Sequence, residues 1–198
     1  MPFLLRTILL LQLFAAVCLS AADRKFDFSK LTPNYINAKG EKKELNMTGK
    51  KYILVYYSSH WCGSCREFTP LFIDFYKENS KDLFEVVFMS LDFSKEKQLS
   101  YMQDSKMPWL GVEYSQLKPS GLFDFVGCVM PWIAVFKSDG THIPNNKLNM
   151  VSSTAKQILV HLRKIMSIPE KKANPIPPAQ KESFVKPVSH SLVVGKSE

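Results

Sequence analysis

The 198-residue chain is short of cysteine, short of glycine and free of any block of like charge. Four cysteines are too few for a disulfide-knotted scaffold, so their spacing carries more information than their number. Eight glycines exclude a collagen-like or glycine-rich array. No apolar run reaches the roughly 20 residues that a bilayer-spanning helix needs. Hydrophobic residues at 45% and charged residues at 22% are globular values, which exclude wholesale disorder and a polytopic membrane protein. The net charge of +8 is carried by scattered lysines such as Lys42, Lys43, Lys50, Lys51, Lys77 and Lys81. Without a basic block, a zinc finger or an RNA-recognition pattern, that charge reads as a solvated surface rather than a nucleic-acid site.

What is present begins with the N-terminus. Arg6 precedes an apolar run from Ile8 to Leu19, then come Ser20, Ala21 and Ala22, then the charged Asp23-Arg24-Lys25. Basic, apolar and small-residue regions in that order predict that residues 1–22 are a secretory signal cleaved near Ala22, with an uncleaved anchor as the alternative, and that the mature chain is periplasmic, extracellular or in the secretory pathway. Cys18 follows the bulky Val17, which argues against a lipoprotein site. Once the signal is removed, no stable membrane insertion is expected, and Cys62, Cys65 and Cys128 remain. Residues 23–167 form the folded domain. The proline- and lysine-rich segment 168–198, with Pro175, Pro177, Pro178 and Pro187, reads as a disordered tail.

Within the domain, residues 33–45 suggest a hairpin around Lys39-Gly40. Tyr52–Ser58 and Phe84–Leu91 are near-continuous apolar runs, the pattern of buried central strands. Between them Phe68, Leu71, Phe72, Phe75 and Tyr76 recur at helical spacing, with Pro70 inside the pattern as an expected kink. Ser94–Ser105 is a polar helix candidate, Met107–Tyr114 is irregular, and a short helix is expected at Ser120–Val126. Pro131–Lys137 reads as a third strand, turning at Ser138-Asp139-Gly140 into a fourth around His142–Met150. Ser152 or Ser153 would cap a last helix running to about Ile165. This order implies an α/β fold with a central mixed β-sheet flanked by helices. Asn46-Met47-Thr48 fits a glycosylation acceptor.

Cys62-Gly63-Ser64-Cys65 follows one buried strand and opens a helix. At a helix N-terminus, free N–H groups and the macrodipole favour negative charge, and the thiolate is the nucleophile. Cys65 sits one turn later, in reach of a mixed disulfide formed on Cys62. A structural disulfide closing so small a loop would constrain the unfolded chain little. A metal site needs a second Cys/His pair at ligand spacing, and none is visible, so neither a metal nor any other cofactor is expected.

Trp61-Cys62-Gly63-Ser64-Cys65-Arg66, with Pro70 downstream, resembles the active site of the thioredoxin superfamily. The stretches YYSSHWCGSCREFTPLFIDFY, FEVVFMSLD and KMPWLGVEY are similar to its tryparedoxin/nucleoredoxin branch. The exported domain behind a hairpin also resembles TlpA-type thioredoxin-like proteins. The resemblance implies a thioredoxin fold with an N-terminal β-hairpin extension, and a thiol–disulfide oxidoreductase with Cys62 as nucleophile and Cys65 as resolving residue. It assigns Met130-Pro131 to the cis-proline loop that lines the substrate groove beside Trp61, Gly63 and Ser64. Protein disulfides are the implied substrates, an upstream thiol the electron donor, and a monomer the working form. A dipeptide without histidine between the cysteines points towards a reductase.

Departures from the family pattern name further candidates. Tyr56 occupies the strand where many relatives carry a buried acid, so Asp92 is a candidate proton acceptor for Cys65, or else a turn cap. Trp132 stands after the proline where a smaller residue is usual, and either narrows the groove or packs beside it. His60 either stabilises the Cys62 thiolate or is an exposed loop residue. Cys128, three residues before Pro131, is either a small buried thiol or a regulatory or dimer-forming one. Two other readings of the pair remain: a soft-metal chaperone using Cys62, Cys65 and His60 or Met130, and a redox-inactive adaptor.

Overall fold

The strand Tyr52–Ser58 (β3) is buried at six of its seven positions, because both faces of the sheet it centres are covered. It pairs in parallel with Phe84–Ser90 (β4), with Tyr52 opposite Phe84 and Ser58 opposite Ser90. On its other side it pairs antiparallel with Trp132–Lys137 (β6). The computed structural model describes residues 24–144 and 154–169. The expected export segment, Ser152, Ser153 and all but the first two residues of the expected tail lie outside the described residues.

Among the described residues the sheet has seven strands. In chain order they are β1 (Tyr35–Ile36), β2 (Lys42–Lys43), β3, β4, β5 (Leu110–Val112), β6 and β7 (His142–Ile143). Across the sheet the order is β2-β1-β5-β4-β3-β6-β7. The hairpin expected at 33–45 is present but shorter, and it is part of the sheet. Its β1 pairs antiparallel with β5, Tyr35 opposite Val112. The stretch 107–114, expected to be irregular, therefore contains the strand that receives the hairpin. The fourth expected strand is β7, seen at His142–Ile143; residues 145–150 are outside the described residues.

Alternation along the strands sorts the core into two layers. Leu54, Tyr56, Val86, Phe88, Ile133 and Val135 face the helices α1 (Gly63–Asn79), α2 (Lys95–Asp104) and α3 (Ala155–Ile165), packing on Phe68, Phe72, Tyr101, Ile158 and Leu162. Ile53, Val55, Tyr57, Val87 and Phe136 face the other way, onto Leu31, Tyr35, Leu122 and Phe125. A 3-10 turn at Leu122–Phe125 replaces the short helix expected at 120–126. Each buried aromatic or Leu contributes about 2 kcal/mol through the water it excludes, so the two layers fix the strand ends on which the cysteine loop sits.

α1 runs unbroken through Pro70. α3 is capped by Thr154 rather than by Ser152 or Ser153: its side chain accepts from the Gln157 N–H, and Gln157 bonds back to the Thr154 N–H. Arg163 then ties α3 to α1, with one guanidinium nitrogen 3.1 Å from Asn79 Oδ1.

Candidate active site

β3 ends at Ser58, and the three residues Ser59, His60 and Trp61 carry the chain to Cys62, the N-cap of α1. That geometry follows from the sequence. The apolar run must stop where the sheet ends, and the helical spacing of Phe68, Phe72 and Phe75 then turns the chain back across the sheet. Cys62 and Cys65 are joined as a disulfide with Cα atoms 5.2 Å apart. Cys62 retains 9% of its surface and Cys65 none. The Cys65 N–H donates to Cys62 Sγ at 3.2 Å, so the helix N-terminus is aimed at that sulfur.

Met130–Pro131 is a cis peptide at the start of β6, the strand beside β3. Ser64 Oγ lies 3.4 Å from Cys62 Sγ and donates to the Met130 carbonyl at 3.4 Å. The cysteine loop and the proline loop thus meet through Ser64, and the neighbouring Gly63 is exposed. Gly63 has nothing within 4 Å of the position a β-carbon would take, so the approach to the cysteine pair is open there.

Trp61 is 50% exposed, its Nε1 donates to the Leu91 carbonyl at 3.3 Å, and its ring stacks on Phe93 with centroids 5.8 Å apart. Phe93 is 83% exposed. Together they form an apolar shelf next to Cys62. Beyond it, a cavity of about 400 Å³ is lined by Leu91, Asp92, Tyr114, Leu117, Lys118 and Phe123.

Asp92 is buried and fully engaged. Oδ1 accepts from the His60 N–H at 2.9 Å, and Oδ2 accepts from Ser90 Oγ at 2.8 Å. It caps the loop, and no hydrogen bond joins it to Cys65 among the described residues. The His60 ring packs edge-on to Tyr101 at 5.9 Å, and its carbonyl accepts from Arg66. Trp132 packs rather than narrows: its indole lies against Gly127, and Nε1 donates to the Phe125 carbonyl at 3.1 Å. Cys128 is exposed, which rules out the small buried thiol.

Tyr56 lies in the first core layer, and its hydroxyl is 2.9 Å from Thr69 Oγ1. Burial pushes its phenol well above the ordinary tyrosine value. Thr69 Oγ1 also touches Tyr101 OH at 2.7 Å and donates to the Cys65 carbonyl at 2.7 Å. Ser58 Oγ completes the set, 2.9 Å from Tyr101 OH. Sequence reasoning missed Thr69, Tyr101, Ser58 and Phe93. The one signal available was Thr69 at four residues past Cys65, on the same face of α1.

Comparison with known proteins agrees with this geometry. A thioredoxin-like family model matches residues 49–141. A probable nucleoredoxin 1 of Arabidopsis thaliana is 37% identical over 93 residues, covering 45% of this chain and 16% of the relative. Tryparedoxin of Trypanosoma brucei brucei is 36% identical over 84 residues, covering 42% of this chain and 56% of the relative. Among solved structures, a thioredoxin from Wuchereria bancrofti has 34% identity and a TM-score of 0.52, covering 66% of this chain and 94% of that one. Tryparedoxin II from C. fasciculata has 26% identity and a TM-score of 0.54, covering 70% and 88%. The matches with the nucleoredoxins of Arabidopsis thaliana and Danio rerio span only 16% and 15% of those proteins' lengths.

Proposed function

The chain belongs to the thioredoxin superfamily, on its tryparedoxin and nucleoredoxin branch, and from that premise we propose that it is an exported thiol–disulfide oxidoreductase that reduces protein disulfides. The observation that carries the reading is the asymmetry of the pair. Cys62 reaches the surface at a helix N-terminus, whereas Cys65 is sealed behind it. An incoming disulfide meets Cys62 first. Its thiolate attacks one substrate sulfur, the substrate S–S bond breaks, and one substrate thiol leaves with a proton. Cys65 then attacks Cys62 Sγ, expels the second substrate thiol and forms the Cys62–Cys65 disulfide. Two electrons pass from the dithiol to the substrate, and an upstream thiol must return them.

The Trp61–Phe93 shelf supports a polypeptide substrate, since it offers apolar contact beside the nucleophile. Gly63-Ser64, without histidine, supports the reducing direction. The secretory pattern of residues 1–22 supports export. In the test, the full chain with dithiothreitol accelerates insulin reduction and Cys62→Ser does not. Equilibration with glutathione should place the pair below about −200 mV. A potential near those of strong oxidants would reverse the direction, and an inert wild type would overturn the reading.

A further inference from the structure

Four buried hydroxyls lie behind Cys65: Ser58, Tyr101, Thr69 and Tyr56, each with 0% exposure. Counting donors fixes their directions. Thr69 has one proton and gives it to the Cys65 carbonyl. It therefore accepts from both Tyr56 and Tyr101, filling its two lone pairs. Tyr101 has then spent its proton, so Ser58 donates to Tyr101. Every link is directed, and the set ends on the backbone of the resolving cysteine.

The position of Thr69 explains why such support is needed. Thr69 is helical immediately before Pro70, whose ring disfavours the α conformation in the preceding residue. Pro70 also lacks the N–H that would reach the Arg66 carbonyl. The first turn of α1 keeps its bond from the Arg66 N–H to the Cys62 carbonyl at 3.1 Å, so the gap in the backbone ladder falls in the second turn, just where the Thr69 hydroxyl makes three hydrogen bonds, two to tyrosines and one back to Cys65.

We propose that the Thr69 hydroxyl, held by Tyr56 and Tyr101, is the positioning group that places Cys65 for attack on the Cys62 mixed disulfide, in place of a buried acid. The inference rests on the redox reading above and adds a specific division of labour: this set governs the second step and not the first. Burial raises the Tyr56 phenol further from ionisation, so that hydroxyl stays neutral across the working pH range. The proton that the Cys65 thiol gives up balances the one taken up by the departing substrate thiolate.

Ellman's reagent separates the steps in the reduced full-length protein with Cys18→Ser and Cys128→Ser removing the other thiols, the background that serves as wild type for every variant. Attack by Cys62 releases one thionitrobenzoate and leaves the other on Cys62. Attack by Cys65 then releases the second and closes the disulfide. Thr69→Val should leave the first phase within about twofold of wild type and slow the second about tenfold or more, as expected when a reactant is misplaced. Thr69→Ser should restore the second phase. Its pH profile should show the thiol ionisation alone. Equal slowing of both phases, no slowing, or a serine variant as slow as valine would overturn the proposal. Should Thr69→Val fail to fold, Tyr101→Phe, which deletes one donor, must slow the second phase selectively. A wild type that releases no thionitrobenzoate removes the redox reading itself, whereas two normal phases unaffected by the variants remove only this inference.

Discussion

Replacing Gly127 with alanine would press on Trp132, directly after Pro131, and leave the cysteines untouched. A β-carbon there would lie 2.4, 2.5 and 2.6 Å from ring carbons Cε3, Cδ2 and Cζ3 of Trp132. Carbon atoms pack at about 3.5–4.0 Å, so the indole would have to retreat by roughly 1 Å. It is poorly free to do so. Trp132 opens β6 directly after Pro131, and its Nε1 is bonded to the Phe125 carbonyl at 3.1 Å. Overpacking of this kind costs about 1–3 kcal/mol, and losing the indole hydrogen bond adds about 1 kcal/mol. For a domain of this size, each kcal/mol lowers the melting temperature by roughly 3 °C, so a drop of about 6–12 °C is expected in circular-dichroism melts of the full chain. Trp132→Ala removes the obstacle. In that background Gly127→Ala should be neutral or slightly stabilising, because alanine restricts the unfolded chain. An unchanged melting temperature in the single variant, or the same loss in both backgrounds, would refute the packing account of Trp132.

Three other outcomes follow from the same geometry. Phe93→Ser should leave stability within about 0.5 kcal/mol and raise KM for insulin roughly fivefold, with no change for Ellman's reagent; equal effects on both substrates would remove the shelf from substrate binding. Asp92→Ala should cost about 1–3 kcal/mol by stripping the His60 N–H of its acceptor, whereas Asp92→Asn should keep turnover and most of the stability, because the amide oxygen still accepts from the His60 N–H and Ser90 Oγ can turn to accept from the amide NH2; a stable but inactive asparagine variant would give the carboxylate a role in proton transfer. His142 packs against Phe125 and Phe136, and its pKa lies below the ordinary 6.5 because of burial first and the nearby Arg24 second. The unfolded chain therefore takes up this proton before the folded one, and stability falls as pH drops below 6.5 towards the lowered folded value. His142→Asn should shrink the difference in melting temperature between pH 7.5 and pH 5, and an unchanged difference would contradict the assignment.

The parts of the fold legible in the sequence are those with local periodicity. Tyr52–Ser58 and Phe84–Ser90 announce themselves as buried runs, and Phe68, Phe72 and Phe75 mark one face of α1. β5 does not, because a strand of three residues has no period to read, and its partner Tyr35–Ile36 lies far away in sequence. The expected cap of α3 lies one or two residues before the observed Thr154, since Ser152, Ser153 and Thr154 all have side chains that can cap and only the position of the helix start decides. In the site, the cysteine pair was visible because its chemistry is packed into four residues. The hydroxyl set was not, because Ser58, Thr69 and Tyr101 come from β3, α1 and α2 and meet only once the sheet is assembled. Tyr101 in particular sits in a helix whose polar composition hides a buried face of Gln98, Tyr101 and Met102.

Trapping tests the central claim most directly. Incubated reduced with a protein disulfide and then denatured in acid, Cys65→Ser should carry a substrate mixed disulfide on Cys62, identified by mass spectrometry of the linked peptides, and Cys62→Ser should carry none. Adducts on Cys65 or Cys128 in the Cys62→Ser protein, or none on Cys62 in Cys65→Ser, would contradict the assignment of Cys62 as the attacking thiol.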